Sequence, residues 1–247
     1  MPKQRIDVLL VERGLAESRN KAQRLVMAGQ VRVNGQVAMK SSEQVAEDAE
    51  LAVDSGPRFV SRGGGKLLAA LEGFEVDVEG KICADVGAST GGFTDCLLQH
   101  GAAKVYAIDV GRGILHWKLR QDERVVVMEG TNARYIENLP EAVELVTIDA
   151  SFISLKVLLP MVKDWLAESG EVIALIKPQF EAGKQEASKG KGVIKDPKVR
   201  QRVVDEISAF ALEQGYIQKG LTESPVKGPK GNVEFLLWLE VISHHEL

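Results

Sequence analysis

The chain has 247 residues, 45% hydrophobic and 27% charged, which suits one domain of ordinary size plus a small one and excludes a disordered chain. No charged-then-apolar leader opens it and no apolar run approaches a membrane span, so a cytoplasmic protein with no membrane partner is expected. The formal net charge is −4, but the first forty residues carry eight Lys and Arg against three acids, and such a local field can still draw a polyanion.

Residues 5–14 and 18–29 are predicted helices, with Ile6, Leu9 and Leu10 as one apolar stripe and Ala22, Leu25 and Val26 as another. Ser18 suits an N-cap and Gly29 a stop. Val31–Val33, Asn34-Gly35 and Gln36-Val37 read as a hairpin with a tight turn. Arg19, Lys21 and Arg24 fall away from the second stripe. The acids Glu43, Glu47, Asp48, Glu50 and Asp54, followed by Gly56-Pro57, mark the edge of this region, with Arg58 and Arg62 in the linker.

A second region follows. Lys66 stands at the start of a helix bearing Leu67, Leu68, Leu71 and Phe74, and its Gly63-Gly64-Gly65 has the wrong spacing for a phosphate loop. Ile82–Val86 is a short buried strand that runs through Gly87-Ala88-Ser89-Thr90-Gly91-Gly92 into a helix at Phe93. Strand, glycine turn and helix make the ligand crevice of an open parallel sheet. The turn is led by Asp85 and lacks both the dinucleotide spacing and the lysine of a phosphate loop. Lys104–Val110 is the next strand. Its terminal Asp109 suits two ribose hydroxyls, because a carboxylate accepts from each. The combination looks like an S-adenosylmethionine site; a nucleotide oxidoreductase and a plain glycine-rich turn are the alternatives. Cys83 and Cys96 match no metal spacing, no metal is expected, and both read as reduced core thiols.

Val125–Glu129 is the third strand, and Asn132 after it either reads an adenine edge or is an ordinary loop residue. His116-Trp117 is a cleft wall or plain packing. Strand four (144–150) ends in Asp149, a helix begins after Ser154, and strand five (171–177) ends in Lys177. Residues 178–195, with Lys184, Lys189, Lys191 and Lys195 among glycines, read as a mobile lid over a polyanion or a featureless loop. Asp196-Pro197 caps a helix that stops at Gly215. Residues 216–224 and 233–242 close the sheet as a pair. The cofactor is expected on Asp85, Gly87, Ala88, Ser89, Gly91, Gly92, Phe93, Asp109, Asn132 and Asp149.

Chemistry in such a sheet sits at the carboxyl ends of its strands. Asp149 and Lys177 are there, Lys66 enters from the preceding helix and Glu234 opens the last strand. An amine methyltransferase would carry an Asn/Asp-Pro-Pro-aromatic loop after strand four, and a pyrimidine C5 enzyme a cysteine. This chain has Asp149-Ala150-Ser151-Phe152, which leaves an alcohol acceptor. A hydroxyl needs a base as the methyl transfers, and a lysine serves only where burial and a second positive charge favour its neutral form. Lys177 is the expected base, Lys66 its partner, and Asp149 and Glu234 hold both.

Two resemblances bear on this. Residues 5–35, in R-I-D-x-x-L and then S-R-x-x-A-x-x-x-V-x-x-G-x-V-x-V-N-G, resemble an S4 RNA-binding domain, which implies RNA contacts through Arg5, Arg19, Lys21 and Arg24, with Arg58 and Arg62. The order Lys66, Asp149, Lys177, Glu234 looks like the K-D-K-E tetrad of FtsJ-like ribose 2′-O-methyltransferases. With YAIDVGRG, EGTNAR, IDASFISL, LIKPQFE and GNVEF, the chain from about Lys3 to Ile242 resembles the TlyA family. That resemblance implies an S-adenosylmethionine-dependent methyltransferase acting on ribosomal RNA or a ribosomal subunit, at a cytidine. The fold it implies is α/β: a Rossmann-like, mostly parallel sheet with its last strand antiparallel (64–247), a linker (57–63) and a small α+β S4 domain (1–56). Many members carry the label hemolysin, so a membrane-active protein is a rival reading, as is a non-catalytic RNA-binding module.

Overall fold

The computed structural model describes residues 2–54 and 56–242, and only the backbone at Lys184 and Lys189. The chain divides into two units, Met1–Arg58 and Phe59–Leu247.

In the first unit β1 (Lys3–Arg5) leads directly into α1 (Ile6–Glu12), followed by α2 (Arg19–Met27), β2 (Val31–Val33), β3 (Gln36–Val37), β4 (Gln44–Ala46) and β5 (Leu51–Val53). Ser18 Oγ accepts from the Lys21 amide at 3.3 Å, so the expected cap starts α2. Asn34 and Gly35 both take positive φ, which the tight two-residue hairpin turn requires. β2 pairs antiparallel with β3 and β5, and β1 with β4. The acidic stretch after residue 41 therefore supplies two strands. Val45, Leu51 and Val53 pack against a core of Ile6, Leu10, Ala22, Val26 and Val31.

The second unit begins at Phe59, inside the stretch expected to be linker. Phe59 is buried, and its ring lies so close to Gly64 that a Cβ there would stand 2.3 Å from it. The elements are α3 (Gly63–Phe74), β6 (Ile82–Val86), α4 (Gly92–Gln99), β7 (Lys104–Asp109), α5 (Trp117–Arg120), β8 (Val125–Glu129), β9 (Val143–Ile148), α6 (Leu155–Lys163), β10 (Leu166–Ile176), α7 (Pro178–Glu181), α8 (Lys184–Lys189), α9 (Pro197–Glu213), β11 (Tyr216–Glu223) and β12 (Phe235–Val241).

The strands form one seven-stranded sheet in the order β11-β12-β10-β9-β6-β7-β8. β6 to β10 pair in parallel, while β12 runs antiparallel to both β10 and β11. Both faces are covered, which is why the central strands read as unbroken apolar runs. Ala84, Val86, Val146, Ile148 and Ala174 face one core, and Cys83, Leu145, Ile173 and Leu175 the other. Burial pushes the Cys83 thiol up to about 12, so this cysteine is inert packing. Ser154 and Asp196 cap α6 and α9 through the amides of Lys156 and Lys198. Strand order reverses between β6 and β9, and the crevice outside their carboxyl ends is where an open sheet of this kind binds its ligand. Among the described residues, no helix is long and apolar enough to cross a membrane.

Candidate active site

The glycine turn leaves β6 at that reversal. Gly87 takes φ +85°, and a Cβ there would lie 2.9 Å from the Ala150 backbone, so the turn lies hard against the segment leaving β9. Ser89, also at positive φ, donates its amide to Asp109 Oδ2 at 2.8 Å, and the Gly111 amide reaches Oδ1 at 2.7 Å. Two acceptor positions of the half-buried Asp109 carboxylate are thus taken and its others stay available to a diol. Asp109 lines a cavity of about 450 Å³ together with Gly87, Ile114, Asn132 and Asp149. The carboxylate, the apolar wall of Ile108, Val110 and Ile114, and the close backbone turn fit an adenosine moiety. A larger cavity of about 810 Å³ shares Gly87, Ser89, Asp149, Ser151 and Phe152 with it.

The larger cavity is where the four polar residues from distant elements meet. Lys66 Nζ lies 2.7 Å from Glu234 Oε2 and 3.7 Å from Asp149 Oδ2, and Lys177 Nζ lies 2.6 Å from Asp149 Oδ1. Lys177 Nζ also donates to the Asp149 carbonyl and to Ser151 Oγ, each at 3.0 Å. Lys66, Lys177 and Glu234 are buried, yet all four side chains line the cavity.

Glycines place Lys66. A Cβ on Gly92 would strike Ser61 Oγ and lie 2.8 Å from the Gly64 amide, so α3 and α4 meet end to end through the two glycine clusters. At the other end, Gly228 leaves room for Glu234, whose Oε1 would stand 2.5 Å from a Cβ there. Glu234 itself precedes β12 by one residue.

Two expected cofactor contacts point elsewhere. Asp85 has no exposed surface, and its Oδ2 accepts from the Thr94 amide at 2.9 Å and hydroxyl at 2.7 Å while Oδ1 takes the Thr147 hydroxyl at 3.2 Å. It ties the turn to α4 from beneath, and desolvation, followed by the charge of Asp149, pushes its carboxyl up to about 7. Gly91 takes φ +96° against Leu115 and Leu119, where a Cβ would collide with both. Its glycine is needed for helix packing. Ala88, Gly92 and the buried Phe93 line the larger cavity. Asn132 lines the smaller one, with its Oδ1 committed to the Arg134 amide at 3.2 Å. His116 caps α5, its Nδ1 accepting from Lys118, and neither it nor Trp117 lines either cavity.

The basic candidates separate. In the first unit Asp7, fully buried, takes a two-pronged contact from Arg5 at 3.0 and 2.9 Å, Arg19 at 3.2 Å and Gln23 at 2.9 Å. Arg5 and Arg19 are held in place by this carboxylate, while Lys21, Arg24 and Arg58 are exposed. Arg62, exposed in the second unit, stands at the rim of the larger cavity.

Several residues of the site escaped sequence reasoning. Residues 178–195 carry α7 and α8 where a lid or featureless loop was expected, and the side chains of Lys184 and Lys189 lie outside the described residues. Glu181 pins α7 to the start of α6 through the Ser154 hydroxyl and Leu155 amide. Buried Asn232 clamps the segment's far end, donating to the Gly192 carbonyl and accepting from the Ile194 amide, each at 2.9 Å. Gln179 on α7 donates to Glu234 Oε1 at 3.0 Å. Phe152, at φ +64° and 90% exposed, packs on Phe180 with ring centroids 4.8 Å apart. Glu129 is paired with Arg120 and gathers the Leu115, Gly113 and Ile114 amides; Arg120 first, and then these amides, hold its carboxyl down at about 2 and fix the loop beside Asp109. An acid closing a third strand was the signal for Glu129.

A seven-stranded sheet with an antiparallel β12 set between β10 and β11, a glycine turn at the strand-order reversal and an acid closing the next strand define the S-adenosylmethionine-dependent methyltransferases. The FtsJ-like methyltransferase model matches residues 59–241 and the S4 domain model residues 4–51. The chain belongs to the FtsJ-like methyltransferase family, in the TlyA group that couples this fold to an S4 domain. It is 52% identical over 244 residues to "Putative rRNA methyltransferase YqxC" of Bacillus subtilis, covering 96% of this chain and 85% of that protein. It is 48% identical over 241 residues to the 16S/23S rRNA (cytidine-2′-O)-methyltransferase TlyA of Mycobacterium tuberculosis, covering 95% and 89%. The solved structure of "Putative hemolysin from Streptococcus thermophilus" superposes with a TM-score of 0.73 at 46% identity, covering 98% of this chain and 89% of that one.

Proposed function

We propose that this chain methylates the ribose 2′-hydroxyl of a cytidine in ribosomal RNA, acting in the cytoplasm. The observation that carries the reading is the meeting of Lys66, Asp149, Lys177 and Glu234 on the wall of a cavity that also reaches the glycine turn. S-adenosylmethionine, bound against Asp109 and the turn of Gly87 to Ser89, supplies a methyl group activated by a sulfonium.

The residues supply the rest. The acceptor hydroxyl rests between Lys177 and Lys66, which hold its oxygen toward the turn. Lys177, which must first give up the proton it carries in its pairing with Asp149, takes the hydroxyl proton as the new O–C bond forms and the methyl–sulfur bond breaks. Asp149, 2.6 Å away, stabilises the ammonium that results, and Glu234 holds Lys66 in register. Burial strengthens each of these pairings and keeps water from the reacting hydroxyl. Arg5, Arg19, Lys21 and Arg24 grip RNA phosphates from the first unit, with Arg58; Arg62 does so at the rim of the larger cavity.

The test is methyl transfer from labelled S-adenosylmethionine to naked ribosomal RNA and to isolated subunits, with the product mapped by resistance to alkaline cleavage. Alkali-resistant ribose at a cytidine is expected with the native protein and none with Lys177→Ala. Methylation confined to a base, or full activity in Lys177→Ala, overturns the reading.

A further inference from the structure

Among the described residues two buried side-chain oxygens lack a hydrogen bond, Asp149 Oδ1 and Gln179 Oε1. The first faces the Lys177 ammonium at 2.6 Å. Gln179 lies in the short helix α7, two residues after Lys177, and lines the larger cavity beside the four polar residues.

Its orientation is dictated by chemistry. Glu234 is ion-paired to Lys66 at 2.7 Å through Oε2 and meets Gln179 through Oε1 at 3.0 Å. A carboxylate only accepts, so it must face the amide NH₂, and exchange of oxygen and nitrogen by rotation is ruled out. The carbonyl end is thereby fixed as an unmet acceptor on the cavity wall. A buried acceptor without a donor is unfavourable, and a ligand that brings a donor relieves it.

An internal RNA nucleotide brings few donors. Its phosphates have none, and its one free ribose hydroxyl is the methyl acceptor, already engaged by Lys177 in the reading above. The base remains. Cytosine offers an exocyclic NH₂ where uracil offers a carbonyl, which would face Gln179 oxygen to oxygen.

We propose that Gln179 is a specificity-determining residue whose Oε1 accepts from the exocyclic amine of the target cytosine while its NH₂ holds Glu234. This rests on the proposed ribose methylation and adds the residue that selects the base. A site built around a hydrogen bond discriminates strongly against an analogue that cannot form it.

The experiment compares kcat/KM on ribosomal RNA transcripts carrying cytidine or uridine at the position the native protein methylates. The native protein is expected to prefer cytidine by about a hundredfold or more. Gln179→Met keeps the shape without either polar end and should bring the preference to within about threefold, with a lower kcat. Gln179→Glu keeps an acceptor toward the base but loses the donor to Glu234, so kcat falls while the preference for cytidine persists. Calorimetric binding of S-adenosylmethionine at native affinity certifies that both variants are folded. Undiminished preference in Gln179→Met means that the residue only positions Glu234 and overturns the inference alone. Absence of ribose methylation by the native protein on every transcript, both free and assembled into its ribosomal subunit, overturns the parent reading and this one with it.

Discussion

Asp7 in the first unit and Asp85 in the second are both wholly buried, and the two carboxyls are driven in opposite directions. The guanidinium of Arg5, with Gln23 and Arg19, holds Asp7 well below the usual carboxylate range. Asp85 has only hydroxyls and an amide for partners, and desolvation carries it up to about 7. Neither side chain meets solvent, but Asp7 lies just beneath two part-exposed arginines and Asp85 deep in the core, so depth and countercharge together decide the outcome. A buried acid with its cations becomes a fixed bracket, here one that holds two arginines, whereas a buried acid without them sits near neutrality. The four residues of the cavity wall take a third course. Their charges match, two ammonium groups to two carboxylates, but they face open space in which a substrate can compete for them.

The sharpest way to break this comparison is to unbalance the charges of the cavity wall. Lys66→Met strands Glu234, and methyl transfer is expected to fall about a thousandfold, with cofactor affinity in calorimetry unchanged. Unaltered turnover would remove the distinction between a bracket and a reacting cluster.

The two aspartates predict opposite pH slopes. With its carboxyl raised in the folded state, Asp85 contributes stability that is fully present below the ordinary aspartate pKa of about 4 and is lost as pH climbs through about 7. Denaturant unfolding should therefore show the second unit weakening across that window by on the order of 3 kcal/mol. Asp85→Asn can keep the hydrogen bonds, with Thr147 turned to accept, and should flatten the slope. A slope that survives the substitution belongs to another group.

For Asp7 the sign is reversed. Its stabilisation is present above the ordinary aspartate pKa of about 4 and fades as the pH falls through its lowered value. Asp7→Ala should cost the first unit about 2 kcal/mol near neutrality, read as an early transition in unfolding, and should weaken RNA binding as Arg5 and Arg19 lose their anchor. The smallest expected effect is that of Gly228→Ala, whose methyl group displaces Glu234 and lowers kcat by about tenfold, equivalent to about 1.4 kcal/mol. An unchanged kcat would show that Glu234 has freedom to move.

Much of the architecture could be read from local pattern. The caps at Ser18 and Asp196 stand where expected, because a capping side chain bonds to an amide two or three residues away. The central strands were legible because parallel strands covered on both faces are apolar throughout. Asp109, Asp149 and Lys177, at the ends of β7, β9 and β10, were legible as breaks in those runs. Residues 44–53 escaped, since strands this short and half-exposed carry little periodicity. So did α7 and α8, whose place is set by Glu181 and Asn232 reaching partners on other elements.

Chain order thus settled which residue types lie at the ends of which elements, since backbone propensity and apolar period act over a few residues. It left open where those side chains point. Asp85 and Gly91 belong to the expected turn but look inward, toward Thr94 and Thr147 and toward Leu115 and Leu119. Lys66 and Glu234 are 168 residues apart and become an ion pair only because β12 is inserted beside β10 and α3 closes on α4 through facing glycines. Gln179 gains its meaning only from that pair. Which way an amide or carboxylate turns depends on the charges packed around it, and those come from parts of the chain that no local window contains.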